Sequence, residues 1–230
     1  KKIKFELAAE DDAGDPRQAT AVAQKLCDQK VAGVVGHLQS GTSIPASAVY
    51  AKCDMPHITA SASNPDLTKP GHKTTFRLIA NDNALGAALA LFGADHLKIK
   101  TVAIIDDRTA YGQGVASVFK ATALQKGVKV VGEEFTNDKA TDFMAILTSI
   151  KNKKPDAIFY GGLDAQAGPM LRQMEQLGLS GVKYFGGDAL CTEKLPELAS
   201  KTQALKNVTC ATGGASVDKM QGGADWKKRY

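Results

Sequence analysis

The stretch "VAGVVGHLQSGTSIPAS", Val31 to Ser47, decides how the rest of the chain is read. Val31 to Gly36 is a short uncharged run of small and β-branched residues, the composition of a strand covered on both faces. Directly after it come four hydroxyl side chains, Ser40, Thr42, Ser43 and Ser47. In an open parallel sheet the carboxyl ends of the strands run into helix N-termini, and ligands bind there. A buried strand ending in small hydrogen-bonding groups is therefore a candidate binding edge, with a helix expected through Ser47 to Lys52.

The same unit repeats outward from this point. Upstream, Lys4 to Ala9 alternates Phe5 and Leu7 with polar neighbours and reads as a strand. Asp15-Pro16 then reads as an N-cap followed by Pro at the first helical position, and Ala19, Val22, Ala23 and Leu26 recur at helical spacing. Downstream, His57 to Ala60 makes a short strand, and the loop "SASNPDLTKPGHKT" (61–74) marks a shift in composition before Thr75 to Ile79 and a helix around Leu85 to Leu97. Strand predictions follow at Thr101 to Asp106, Val128 to Phe135, Asp156 to Tyr160, Val182 to Phe185 and Asn207 to Ala211. Helices are predicted over Tyr111 to Gln125, around Phe143, Ile146, Leu147 and Ile150, and over Gln166 to Leu177. This alternation predicts an α/β fold of two parallel sheets, each flanked by helices. The block before residue 81 has fewer strands than the second, and "GGADWKKRY" at the end reads as a helix just begun. The sequence is thus expected to be an interior piece of a longer protein, its first sheet incomplete.

Composition narrows the function. Of 230 residues, 43% are hydrophobic and 23% charged, which argues against disorder. The net charge of +5 is spread along the chain rather than clustered, so no nucleic-acid partner is expected. No apolar run reaches the ~18 residues of a membrane span, and no membrane insertion is expected. Four cysteines lack any CxxC spacing. They read either as two local disulfides, Cys27 with Cys53 and Cys191 with Cys210, or as four buried thiols in a reducing compartment. The histidines His37, His57, His72 and His96 have no metal-ligand spacing and read as loop or surface residues; no metal and no cofactor is expected. "YGQGVAS" (111–117) has a G-x-G after a strand but lacks the third glycine of a dinucleotide site. No G-x-S-x-G elbow is present, and no enzymatic activity is expected.

What the strand ends do carry is suited to a zwitterion. Ser40, Thr42 and Ser43, with Ser61, Ala62 and Ser63, collect neutral donors in the first block, the chemistry that receives a carboxylate. "DDRTAYGQG", "GGLDAQ" and "GGDAL" place Tyr111, Asp164 and Asp188 at strand ends of the second block, where an acid and acceptor oxygens suit an ammonium group. The competing explanation is that these Ser and Thr residues cap helices and nothing more.

At these residues the sequence resembles the type I periplasmic solute-binding proteins of ABC importers, and within them the leucine/isoleucine/valine-binding family. The motifs "EDDAGDPRQATAVAQKL", "VVGHLQSGTSIPAS", "SASNPDLT", "AIIDDRTAYGQG", "FYGGLDAQAGPMLRQMEQLG" and "FGGDAL" follow one another in family order. The resemblance implies a periplasmic, two-lobed protein that closes on an amino acid and delivers it to permease subunits. Residues 1–80 with 213–230 would form an incomplete first lobe and 81–212 the second, with crossings near Ile79 to Asp82 and Thr212 to Gly214. Ser40 and Ser63 would donate to the ligand carboxylate, beside backbone groups of Ser61 and Ala62. Tyr111 would meet the ligand backbone, and Asp188, in place of a family glutamate, would pair with the α-ammonium. Leu163 and Asp164 stand where the family often has aromatic residues, and Asp164 could favour a cationic side chain. Gly14 and Gln39 stand where relatives have cysteines, so the Cys27–Cys53 pair would staple the first lobe instead. A sensory module of the same fold, recognising an amide, urea or cationic amino acid, is the alternative.

Overall fold

The computed structural model describes residues 4–229, and the chain divides into two compact units, one ending at Ile79 and one beginning at Ala80. In the first unit, helix α1 (Pro16–Asp28) starts where the sequence predicts, because the Asp15 carboxylate accepts the N–H groups of Arg17 and Gln18 and Pro16 fixes the first helical φ. Strand β1 (Val34–Val35), helix α2 (Ser40–Lys52), strand β2 (His57–Thr59) and strand β3 (Thr75–Arg77) follow. The strands form a parallel sheet in the order β1-β2-β3, with Val34 opposite His57 and Ile58 opposite Phe76. Ala23 and Leu26 of α1 pack with Ala46 and Tyr50 of α2 and with Met55. A disulfide between Cys27 and Cys53 joins the ends of the two helices.

Two expectations for this unit need correction. Lys4 to Ala9 is not a strand; it runs without a ladder partner among the described residues, with Phe5 89% and Leu7 93% exposed. Alternation makes a strand only where a sheet edge receives it. Here Phe5 and Leu7 line, together with Val34 and Val35, a groove of about 880 Å³. The helix expected through Ser47 to Lys52, in turn, begins already at Ser40, and Pro45 sits inside it.

The second unit opens with helix α3 (Asp82–Leu91), continued by a wider turn over Phe92–His96. Strand β4 (Thr101–Asp106), helix α4 (Ala110–Gln125), strand β5 (Lys129–Phe135), helix α5 (Met144–Lys153), strand β6 (Ala157–Gly161), helix α6 (Asp164–Gln176), strand β7 (Lys183–Gly186), the short helix α7 (Leu195–Leu198), strand β8 (Val208–Cys210) and helix α8 (Gly223–Arg229) complete it. The five strands are parallel in the order β5-β4-β6-β7-β8. Side chains of β4 alternate between two buried faces. Val102 and Ile104 pack with Leu89, Phe119 and Phe159, while Ala103 and Ile105 pack with Leu147, Ile158 and Met170. Burial on both faces is why these strands read as unbroken apolar runs. Residues 213–229, which the sequence reading gives to a first lobe, group here with the second unit, where the Ala80 N–H donates to the Gly213 carbonyl.

Candidate functional site

In the first unit the hydroxyl residues gather at the N-terminus of α2. Gln39 occupies the N-cap position without a side-chain bond, and Ser40, buried, is the first helical residue. Its Oγ accepts the Asn64 N–H at 3.1 Å, which ties the helix start to the 61–64 loop and leaves the hydroxyl hydrogen to be donated. Thr42 and Ser43 donate to the Gln39 and His37 carbonyls, and Ser47 donates to the Ile44 carbonyl. Three of the four hydroxyls therefore serve the backbone. Ser63 differs: it is fully buried, and its Oγ has no partner among the described residues. The N–H groups of Ser61 and Ala62 converge on the Thr59 hydroxyl at 3.2 and 3.0 Å, and that hydroxyl donates to the His37 carbonyl at 2.9 Å. Thr59 organises these amides, yet nothing in its local sequence marks it for that role.

Behind this edge lies a polar chain that sequence spacing did not reveal. His37 Nδ1 meets Asp12 Oδ2 at 2.6 Å, and its Nε2 meets the Tyr50 hydroxyl at 3.0 Å. A ring that donates from Nδ1 to Asp12 and accepts at Nε2 from Tyr50 satisfies both contacts. Burial works to raise the Asp12 pKa, but hydrogen bonds from His37, the Gly14 amide and Thr42 outweigh it and hold the carboxyl below its usual value. Tyr50 is pushed up to about 12 by burial and by the charge of Asp12. His57 is fully buried and pulled down to about 4, chiefly by desolvation. His37 lies in a loop, as expected, but is buried there, while His57 is a buried residue of β2 rather than a loop or surface residue; of the four only His96 is exposed. A ring packed between neighbouring elements leaves no signature in one-dimensional spacing.

In the second unit the candidate residues lie at the carboxyl ends of β4, β6 and β7. Asp107 Oδ1 accepts the N–H and hydroxyl of Thr109, and Thr109 in turn caps α4 through the Gly112 N–H. A Cβ on Gly112 would collide with the Asp107 carboxylate and the Gly161 carbonyl, so α4 begins directly against the end of β6. That close approach places buried Tyr111 so that its hydroxyl donates to Asp188 Oδ1 at 2.9 Å and accepts the Ala189 N–H at 3.3 Å. Gly187 also needs its small size, because a Cβ there would strike the Tyr111 hydroxyl. Burial lifts the Asp188 carboxyl above its usual range, against the lowering effect of the Tyr111 bond. Burial also pushes Tyr111 well above an ordinary phenol, with the Asp188 charge adding to the effect. The product is a half-buried acid held by neutral donors, the Tyr111 hydroxyl and the backbone N–H groups of Asp188 and Ala189.

Leu163 precedes α6 at its N-cap and packs against the cluster that includes Tyr111, Phe159 and Phe185. Asp164, the first residue of α6, accepts a 2.6 Å bond from the Thr192 hydroxyl, and that oxygen also accepts the Leu195 N–H. The structure thus brings Tyr111 to Asp188 and Asp164 to Thr192. Within the first unit, Ser40 meets the 61–64 loop. Among the described residues, no group of three or more His, Cys, Asp or Glu side chains could hold a metal ion. No helix among them is long and apolar enough to cross a membrane.

A family model described as periplasmic binding protein matches residues 1–230. The chain belongs to the periplasmic binding protein family. An amino acid binding protein of Pseudomonas aeruginosa is 37% identical over 211 residues, covering 91% of this chain and 56% of that protein. A Leu/Ile/Val-binding protein homolog of Brucella abortus is 34% identical over 201 residues, covering 87% of this chain and 54% of that one. Among solved structures, the branched-chain amino acid transporter substrate-binding protein LivJ of Streptococcus pneumoniae, in complex with isoleucine, superposes with a TM-score of 0.83 at 26% identity, covering 98% of this chain and 65% of that one. The chain spans about half the length of the curated relatives it matches. Its parallel α/β sheets are those of the type I periplasmic binding fold.

Proposed function

We propose that the protein captures a small aliphatic amino acid between two lobes and delivers it to the permease of an ABC importer in the periplasm. The observation that carries this reading is the Tyr111–Asp188 pair, an acid held ready by a neutral hydroxyl at the end of a parallel sheet. Such an acid offers an ammonium group a charge-assisted acceptor. Ser40, Ser63 and the amides of Ser61 and Ala62 would take the carboxylate; the buried Ser63 hydroxyl without a partner supports that assignment. Leu163 would border the ligand. Asp164 already accepts from Thr192 and sits at a helix N-terminus, which favours an aliphatic ligand over a cationic one. The role is capture rather than catalysis, and the energy for transport belongs to the partner ATPase. A ligand that touches both lobes only in the closed form couples affinity to closure.

A thermal-shift screen of the full-length protein against the twenty amino acids, small amides and urea tests this. A ligand at 100 times its Kd adds about 2.7 kcal/mol to the native state, which corresponds to a rise of roughly 3 °C for a protein of the relatives' length. Leucine, isoleucine or valine should produce it. A shift confined to arginine or lysine would assign Asp164 to ligand selection, and a shift confined to amides or urea would replace transport of amino acids with a sensory reading.

A further inference from the structure

A second disulfide joins Cys191 to Cys210, three residues along the chain from the acid assigned above to the ligand ammonium. Asp188 belongs to a single 3-10 turn, Asp188–Leu190, and the Cys191 N–H closes that turn on the Asp188 carbonyl at 2.9 Å. Thr192, the next residue, holds Asp164. One short segment, 187–192, therefore carries Asp188 and the partner of Asp164, with Cys191 between them. Cys210 is the last residue of β8, a three-residue strand at the edge of the sheet that pairs only with β7, where Cys210 lies opposite Gly186.

A turn of this length has little of its own to hold it. Leu190 is buried and fills the space left by Gly186, which anchors one side of the turn. The side carrying Asp188 is only partly buried, and outside the turn's own backbone N–H groups its carboxylate is held by the bond from Tyr111. Short edge strands and isolated turns open at low cost. Each of these two weak elements is fixed by the other through the sulfur bridge.

We propose that the Cys191–Cys210 disulfide is a positioning element of the binding site: by tying the 187–192 turn to β8 it sets Asp188 against Tyr111 and Thr192 against Asp164, so that ligand affinity depends on the bridge being closed. This rests on Asp188 being the ammonium partner. Opening the bridge with a dithiol reductant breaks the S–S bond, transfers two electrons and two protons to give the Cys191 and Cys210 thiols, and closes the reductant to its own disulfide. The turn then samples positions in which the Asp188 carboxylate leaves the Tyr111 hydroxyl for solvent.

The test uses the full-length protein and three disulfide-deficient forms: Cys191→Ala/Cys210→Ala, Cys191→Ser/Cys210→Val, and Cys27→Ala/Cys53→Ala as the control. Two readouts are taken. The carbon-13 carboxyl titration of Asp188 without ligand reports position independently of any ligand, and calorimetric titration with leucine reports affinity. The expected result is that either 191/210 variant moves the Asp188 midpoint down toward an ordinary aspartate and weakens leucine at least tenfold, while the 27/53 variant changes neither. An unmoved Asp188 midpoint in a folded 191/210 variant, or an equal shift in the 27/53 variant, overturns the proposal. If neither 191/210 variant folds, the same two readouts on the wild-type protein in dithiothreitol decide it, with cysteine alkylation identifying the opened pair. Absence of leucine binding to the wild type defeats the functional reading alone, because the Asp188 titration still judges the role of the bridge.

Discussion

Replacing Tyr111 with Phe removes one oxygen and leaves the ring to fill its buried place. That oxygen donates to Asp188 at 2.9 Å and accepts the Ala189 N–H at 3.3 Å. Burial already raises the Asp188 pKa, and the Tyr111 bond is the first of the interactions that oppose it. A hydrogen bond to a charged group contributes about 1.5–3 kcal/mol. Partial exposure of Asp188 places its case at the lower end, and its loss should raise the Asp188 midpoint further. The sign for stability follows from the folded pKa lying above the unfolded one. Asp188 contributes stability that is fully present below its unfolded pKa and is lost as pH rises through the folded value. Tyr111→Phe moves the upper edge of that window to higher pH. Under the role proposed for Asp188, ligand binding should have the opposite dependence, because only the carboxylate pairs with an ammonium, and affinity should fall as pH drops through the Asp188 midpoint. The variant should therefore lose more affinity on the acidic side of the Asp188 midpoint than on its alkaline side, measured by calorimetry across a pH series, alongside a carboxyl NMR titration of Asp188. An Asp188 midpoint that stays put or falls in Tyr111→Phe refutes the reasoning.

Three further outcomes are expected. Phe119 is fully buried and stacks on Phe159 at 4.2 Å, with Phe185 at 5.8 Å, so Phe119→Ala should cost about 3–5 kcal/mol in urea unfolding; a loss under ~1 kcal/mol would mean that the α4 face of the sheet is not close-packed. The Cys27–Cys53 bridge spans 26 residues, and removing it should lower stability by about 3 kcal/mol on the chain-entropy account, with Asp188 unaffected. The Asp156 carboxylate accepts the Lys100 and Thr101 N–H groups at 2.7 and 2.9 Å, which hold its pKa below the usual value against a smaller desolvation effect. Its stabilising effect is present above the unfolded pKa and is lost as pH falls through the folded one. Asp156→Asn should thus cost about 1 kcal/mol at pH 7 and close to nothing near pH 2, read from denaturant midpoints at both pH values.

The sequence by itself determined the βα alternation, the start of α1 at Asp15-Pro16, and the parallel character of the second sheet. Each of these rests on local caps or on strands buried on both faces, whose apolar runs survive in one dimension. It also placed the candidate residues at strand ends, through the general rule for open parallel sheets and through the family resemblance. Tertiary structure alone decided the partnerships. Tyr111 and Asp188 are 77 residues apart and meet because β4 and β7 flank β6 in one sheet. Thr192 reaches Asp164 across 28 residues, and Thr59 gathers two amides that no motif assigns to it. The same cause explains the failures: Lys4 to Ala9 alternates like a strand and finds no edge, while His37 and His57 lack a spacing signature and are enclosed by neighbouring elements. Periodicity records which face of an element is buried; only the packed sheet decides which side chain lies on the other side of that face.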